Sequence, residues 1–185
     1  AGDPETPAGL LNYEALLAEA EAVDDVRRSG DALLGIFYTG GTTGFPKGVM
    51  QSHLNLWSAC MPRMVDMPPI AGGRLLHVAP LFHVAGMARA LIQFMAGESH
   101  VLVASFDAAQ TLQVIERERV TETLLVPSMI LALLAHSDFD RHDLSSLRRL
   151  TYGASPSAGE MVEQLLARLP DIELSHSYGL TEACP

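Results

Sequence analysis

The chain has 185 residues, of which 48% are hydrophobic and 18% charged, and its net charge is −10. This composition is that of a globular domain and excludes disordered, collagen-like and disulfide-rich proteins. The longest apolar stretch, 124–135, is too short to span a membrane, and the start shows no signal sequence. Two distant cysteines, Cys60 and Cys184, suit a reducing compartment and argue against a structural zinc site. We therefore expect a cytoplasmic location.

The charge is unevenly distributed. Residues 1–31 hold eight acidic and two basic residues, and the remaining 154 carry a net charge of only −4. A chain without a basic stripe is poorly suited to nucleic acid, because phosphates need Lys or Arg to replace their counterions. Eleven of the twelve basic residues are Arg, and the only lysine is Lys47.

Residues 1–31 are expected to form an acidic lead-in, a segment that precedes the α/β subdomain. The apolar pattern within it predicts one short amphipathic helix over 10–23. Residues 32–39 form a compact apolar run that ends in a glycine-rich loop, which predicts a strand followed by a loop. A strand resumes at 49–50 and a helix follows over 54–64. Residues 32–185 are expected to form one α/β subdomain.

Five further strands are predicted at regular intervals, with helical patterns between them. They start near Arg74, His100, Glu122, Arg148 and Ile172. Alternating strands and helices predict a mostly parallel sheet covered by helices on both faces. In such sheets ligands bind beyond the carboxyl ends of the strands, so the loops there are the candidate site.

Two of the predicted helices begin with capping boxes. The pairs are Asp107 with Gln110, and Ser157 with Glu160. The second helix is expected to stop at Pro170.

The most informative motif is YTGGTTGFPKGV at 38–49. Glycines let successive backbone N–H groups face one anion, hydroxyls add donors, and Lys47 supplies a positive charge, as a triphosphate requires. The alternative without a binding role is a flexible hairpin tip rich in small residues. A Walker loop is disfavoured, because Pro46 precedes the lysine and Gly48 follows it.

Three other motifs follow predicted strands. YGLTE at 178–182 offers a hydroxyl and a carboxylate, which suit a phosphate and its Mg²⁺, although it could be only a strand exit. YGASPS at 152–157 is not a serine-hydrolase elbow, because Ser157 stands where the second glycine belongs. LFHVAGM at 81–87 places His83 where it could line a pocket or be purely structural. The other histidines lack metal-ligand spacing.

These four strings, in this order, resemble the acyl-adenylate-forming (AMP-binding) enzymes, of the acyl-CoA synthetase type. The resemblance runs from about Asp31 to the end. It implies an enzyme that joins a carboxylic acid to ATP, releases pyrophosphate, and passes the acyl group to coenzyme A.

The resemblance also implies roles for individual residues. The β- and γ-phosphates would be held by Thr39, Gly40, Gly41, Thr42, Thr43, Gly44 and Lys47. The adenine and acyl pocket would include Gly153, Ala154, Ser155, Tyr178 and Gly179, with Tyr178 stacked on the adenine. Thr181 would bind the α-phosphate, Glu182 would bind Mg²⁺, and His83 would lie beside the carboxylate. His83, Lys47, Thr181 and Glu182 are the expected catalytic residues.

Departures from the family pattern limit these expectations. Gly40 stands where the family often has Ser. The chain stops before the family's ribose-binding aspartate and its C-terminal lysine domain, and it lacks the long segment that precedes the phosphate loop. We expect a central fragment of the large N-terminal domain that is inactive alone and self-associates through apolar surface exposed by truncation.

The substrate class follows from His83. Amino-acid-activating relatives typically have an aspartate at the position of His83, where it pairs with the α-amino group of the substrate. The absence of that aspartate favours a fatty or aryl acid without an amino group. Two alternatives stay open: a non-catalytic ATP- or acyl-binding module, such as a degenerate paralogue, and the disfavoured P-loop phosphotransferase.

Overall fold

The computed structural model of the protein describes residues 6–7, 9–40, 44–155 and 159–183. Within these ranges the strands are β1 Leu33–Thr39, β2 Lys47–Ser52, β3 Arg74–His77, β4 Ser99–Leu102, β5 Glu122–Leu125, β6 Arg149–Gly153 and β7 Glu173–Ser177. The helices are α1 Tyr13–Glu19, α2 His53–Asp66, α3 Val84–Ala96, α4 Ala108–Arg117, α5 Pro127–Leu134 and α6 Gly159–Arg168. Short 3₁₀ turns occupy Phe139–Arg141 and Thr181–Ala183.

Strands β3 to β7 form one parallel sheet in the order β4-β3-β5-β6-β7. All five strands predicted from the regular apolar segments are present, which confirms the α/β class. Parallel neighbours need a crossover, and α3 to α6 supply those connections. The carboxyl ends of all five strands therefore lie at one edge of the sheet.

Strands β1 and β2 form a separate antiparallel ribbon, in which Thr39 pairs with Lys47 and Tyr38 with Gly48. The predicted strand over 32–39 is confirmed. The second strand begins at Lys47, two residues before the predicted resumption at 49. The glycine-rich segment is thus the connection between the two strands of this ribbon.

One face of the main sheet carries the larger core. Leu76, Leu125 and Leu150 project from three neighbouring strands and are at most 1% exposed. They pack with apolar residues of α4, α5 and α6, such as Leu112 and Met161. Because side chains alternate along a β-strand, the neighbours of these residues project from the opposite face of the sheet.

The opposite face is covered by α2 and α3. Cys60 of α2 packs with Ala88 and Ile92 of α3 in a second buried cluster, and the Gln93 amide of α3 donates to backbone oxygens at Gly73 and Ser99. Helices therefore cover both faces, as predicted.

Local signals explain where several helices begin and end. The Ser52 hydroxyl and the Asn55 side chain form a reciprocal capping box at the start of α2, which the sequence reasoning missed. The Asp107 carboxylate accepts from the Gln110 N–H over 2.8 Å at the start of α4, which confirms Asp107 as the N-cap and one of the two bonds of the predicted capping box. Ser157 lies outside the described residues, and α6 ends at Arg168.

The acidic lead-in forms a shorter helix than predicted. Helix α1 has seven residues, is capped by the Asn12 side chain, and contains no buried residue. Leu16 and Leu17 are 48% and 57% exposed, so the apolar side chains of α1 are not buried in the core. No helix within the described ranges combines the length and hydropathy needed to cross a membrane.

Candidate functional site

A cavity of about 350 Å³ lies at the carboxyl edge of the main sheet. It is lined by residues at and just after the ends of β1, β6 and β7, by Leu124 of β5, and by His83 and the first turn of α3. Eight of the residues singled out from the sequence line it: Thr39, Gly40, His83, Gly153, Ala154, Gly179, Thr181 and Glu182. The structure therefore brings all four sequence motifs to one place.

A second cavity, of about 500 Å³, adjoins the first and shares Ala154 and Gly179 with it. Ser155 and Tyr178 line this second cavity. The Tyr178 side chain is 81% exposed, so its ring is open to a planar ligand.

Two hydrogen bonds attach the β1–β2 ribbon to the loop after β7. The Thr39 hydroxyl donates to Oε1 of Glu182 over 3.3 Å, and the Gln51 amide donates to the Thr181 carbonyl oxygen over 2.6 Å. Gln51 is 3% exposed. Sequence reasoning missed Gln51, because its only signal is one amide in an otherwise ordinary strand.

The lysine lies in the ribbon beside the cavity. Lys47 pairs with Thr39 in the strand register, yet its exposed side chain is not part of either cavity lining. Gly44 has a φ of +106°, a backbone conformation that favours glycine. Gly41, Thr42 and Thr43 lie outside the described residues.

His83 is the N-cap residue of α3. Its Nδ1 accepts a hydrogen bond from the Ala85 N–H over 3.2 Å. The turn that leads into α3 passes close to Gly86 in the first turn of the helix. A Cβ on Gly86 would lie 2.4 Å from the Pro80 carbonyl oxygen, so this position requires glycine. The imidazole and the N-terminus of α3 thus face the cavity together.

The end of β6 is also fixed by a close approach. A Cβ on Gly153 would lie 1.9 Å from the carbonyl oxygen of Ser177, so only glycine fits between β6 and β7. Ala154 follows with a φ of +64°, an uncommon conformation for a residue with a side chain. This strained turn directs the backbone of 153–155 along the two cavities.

A buried charge network lies below the cavity. Arg89 donates to Oε2 of Glu122 over 2.6 Å, and both side chains are at most 6% exposed. Arg149 lies 3.7 Å from the same oxygen and 2.9 Å from Oε2 of Glu173. Burial lowers the pKa of Arg89, and the nearby charge of Arg63 adds to that effect while Glu122 opposes it. Sequence reasoning missed this network, although one arginine in the apolar segment 84–96 was a signal for it.

Two histidines stack at the sheet edge on the same side as α3. His77 and His100 have ring centroids 5.0 Å apart, and Nε2 of His77 lies 2.8 Å from Nδ1 of His100. Burial, followed by the charges of His100 and Arg89, lowers the pKa of His77 to about 4. Burial also lowers the pKa of His100. This pair is outside the main cavity.

No group of three His, Cys, Asp or Glu side chains in the described ranges is arranged to hold a metal ion. Glu182 supplies one carboxylate at the cavity, with one oxygen hydrogen-bonded to Thr39. This donor set fits Mg²⁺, which is usually held by one or two carboxylates together with substrate phosphates and water.

The comparison with protein families matches residues 2–185 to the AMP-binding enzyme model. Among curated proteins, 4-coumarate–CoA ligase 2 of Oryza sativa is 37% identical over 190 residues, covering 99% of this chain and 33% of the relative. Indoleacetate–CoA ligase of Aromatoleum aromaticum is 37% identical, covering 97% and 35%. The chain thus spans about a third of the length of these relatives.

Solved structures of related enzymes have the same fold as this chain. The inhibitor-bound N-terminal domain of FACL13 from Mycobacterium tuberculosis superposes with a TM-score of 0.84 at 31% identity, covering 92% of this chain and 43% of that one. O-succinylbenzoate coenzyme A synthetase from Bacillus subtilis, in complex with ATP and magnesium ion, gives 0.81 at 28% identity, covering 93% and 36%. The motifs, the parallel sheet and the matched family model lead to one conclusion: the chain belongs to the AMP-binding enzyme family.

Proposed function

We propose that the protein containing this chain is an ATP-dependent acyl-CoA synthetase that activates a fatty or aryl carboxylic acid. The main support for this proposal is the cavity between the ends of β1, β6 and β7 and the N-terminus of α3. It combines hydroxyl groups, backbone N–H groups, a carboxylate and an imidazole, the groups needed to position a nucleotide beside an acid.

In this proposal the segment Thr39–Gly44 and Lys47 hold the β- and γ-phosphates. The register supports this role, because Lys47 lies opposite Thr39 at the start of the connection between the two strands. Thr181 holds the α-phosphate from the neighbouring loop, which is attached to the ribbon through Gln51.

Glu182 is the proposed ligand of Mg²⁺, and the Thr39 hydroxyl orients its carboxylate. When bound, Mg²⁺ neutralises phosphate charge. The adenine is proposed to lie along Gly153, Ala154, Ser155 and Gly179 with Tyr178 stacked on it, and the exposed ring of Tyr178 supports this assignment.

His83 is proposed to lie beside the carboxylate of the acid. The N-terminus of the thirteen-residue helix α3 carries a partial positive charge, which favours an anion there. A carboxylate oxygen attacks the α-phosphorus of ATP, the bond from that phosphorus to pyrophosphate breaks, and an acyl-adenylate forms. The thiol of coenzyme A then attacks the acyl carbon, AMP leaves, and the thiol proton is released.

The test is carboxylate-dependent exchange of labelled pyrophosphate into ATP by the full-length protein, with short, long and aromatic acids. Exchange with one acid class, reduced in both Lys47→Ala and Glu182→Ala and retained in the surface variant Glu160→Ala, would support the proposal. ATP binding without exchange for any acid would instead favour a non-catalytic ATP- or acyl-binding module. A product phosphorylated by the γ-phosphate would indicate a phosphotransferase.

We also propose that the 185-residue chain is inactive alone, since it spans about a third of its curated relatives. Steady pyrophosphate release by the isolated chain with ATP, Mg²⁺ and acid would contradict this.

Self-association of the isolated chain is proposed from its exposed apolar side chains. Ile36, Tyr38 and Met50 on the ribbon are 49%, 74% and 67% exposed. Clustered apolar surface of this kind promotes association. Light scattering across a concentration series tests it, and a monomer at every concentration would refute it.

A further inference from the structure

A small cavity of about 20 Å³ lies beside the main one, between α2, α3, β5 and β7. The two cavities share Ala85, Leu124 and Ser177 as lining residues, and the small one also touches Arg63 and Arg89. Its volume is enough for about one oxygen atom of the size of a water. Two guanidinium groups therefore border a space that admits one oxygen of an anionic group, while the other atoms of that group occupy the adjoining main cavity.

The two arginines have unused hydrogen-bonding capacity. The buried Nε of Arg89 has no hydrogen-bond partner among the described residues, although its Nη2 is paired with Glu122. Arg63 donates to the Ser177 hydroxyl and makes no ion pair within the described part of the chain. A buried polar atom without a partner is costly, so a hydrogen-bond acceptor within reach of this N–H would be stabilised.

The charges in this region do not cancel. Arg63, Arg89 and Arg149 carry three positive charges, while Glu122 and Glu173 supply two negative ones. Arginine binds carboxylate oxygens with charge-assisted hydrogen bonds. One further anionic oxygen group would balance these five side chains.

Helix α3 sets the distance between Arg89 and His83. Ala85, Ala88 and Arg89 lie on one face of the helix, because residues three and four apart are neighbours. Arg89 is six residues after His83, a rise of about 9 Å along the helix axis. A para-substituted phenylpropenoic acid has about this length.

We propose that Arg63 and Arg89 form a subsite for a second anionic oxygen group at the far end of the acid substrate. The inference rests on the proposed function and narrows its substrate class to acids with an anionic distal substituent, such as dicarboxylic acids. Arg63 and Arg89 are the specificity-determining residues, and Ser177 positions Arg63.

The experiment uses three matched acids: 4-carboxycinnamate, 4-hydroxycinnamate and 4-methylcinnamate. Pyrophosphate exchange by the full-length protein gives kcat/KM for each, and ligand-observed NMR with the same protein gives binding without turnover. We expect the carboxy acid to be preferred over the methyl acid by about tenfold or more, since a site built to bind a polar group discriminates against an apolar isostere.

Arg89→Met and Arg63→Gln should each reduce the ratio of kcat/KM for the carboxy acid to that for the methyl acid toward one. Arg63→Gln keeps the Arg89–Glu122 pair, so it reports on the subsite even where Arg89→Met fails to fold. Arg141→Met, which alters an exposed arginine paired with Asp138, is the matched control.

Exchange without a preference for the carboxy acid, or with the hydroxy acid preferred over it, overturns the subsite and leaves the proposed function standing. Absence of exchange with every acid overturns the proposed function. In that case the NMR binding order still decides the subsite, because it needs no turnover.

Discussion

The Thr39 hydroxyl donates a hydrogen bond to the Glu182 carboxylate across 3.3 Å, although the two residues are 143 positions apart in the chain. This bond joins the motif that begins at the end of β1 to the motif that follows β7. A residue proposed to bind phosphate thereby orients the residue proposed to bind Mg²⁺. The polar part of the site is thus assembled from the two ends of the α/β subdomain.

Glu182→Gln is expected to weaken ATP binding in the presence of Mg²⁺ by about tenfold or more, because an interaction with a charged group contributes about 1.5–3 kcal/mol. Without Mg²⁺ the variant and the wild type should bind ATP nearly equally. Calorimetric titration of the full-length protein measures both, with Glu160→Gln on the exposed face of α6 as the control. Equal losses with and without Mg²⁺ would contradict the metal role.

Gly153→Ala is expected to destabilise the protein by about 2–4 kcal/mol, because the new Cβ would lie 1.9 Å from the Ser177 carbonyl oxygen. Gly159→Ala is the matched control, since a Cβ there meets no atom within 4 Å and alanine favours the helix α6. Urea unfolding monitored by circular dichroism gives both values. Equal stability of the two variants would argue against the close approach of β6 and β7.

Glu122→Ala is expected to cost about 3–5 kcal/mol, because it leaves the buried guanidinium groups of Arg89 and Arg149 without their shared carboxylate. The exposed pair of Arg141 and Asp138 offers a contrast. Arg141→Ala should change the free energy of unfolding by less than about 1 kcal/mol. Chemical denaturation at neutral pH checks the difference, and similar costs for both would refute it.

The stability of the protein should fall as the pH drops from 7 to 5. The folded state lowers the pKa of His77 from 6.5 to about 4, so in this range the unfolded chain binds a proton that the folded state does not. The free energy of unfolding is therefore highest above about pH 6.5 and declines toward pH 4, and the lowered pKa of His100 acts in the same direction.

His77→Gln should flatten that slope. The lowered pKa values of Glu116 and Asp143 act at lower pH, because those groups have ordinary values of 4.5 and 3.8. Denaturation at four pH values between 5 and 7 separates the contributions. An unchanged slope in His77→Gln would show that this histidine is not the source.

Much of the fold was predictable from local patterns. The five parallel strands appear where apolar segments recur, and the strand before the glycine-rich loop ends at Thr39 as expected. Helix α1 is shorter than its apolar pattern predicted, and its Leu16 and Leu17 stay about half exposed, so little burial stabilises a longer helix. An apolar stripe alone does not determine what packs on it.

The site was predictable in its motifs but not in its supporting contacts. Strand-end loops in a parallel sheet meet at one edge, so the four motifs could be expected to converge. The roles of Gln51 and Arg89 depend on partners 130 and 33 residues away, Thr181 and Glu122. No periodicity in the sequence indicates such pairings.

The attachment of the β1–β2 ribbon bears on the order of folding. Its two hydrogen bonds to the loop after β7 close loops of 143 and 130 residues, which carry a large entropic cost before any contact repays it. The parallel sheet and its helices can form from shorter connections. The nucleotide-facing edge is therefore expected to assemble last on refolding and to open first under mild denaturant, ahead of the sheet that supports it.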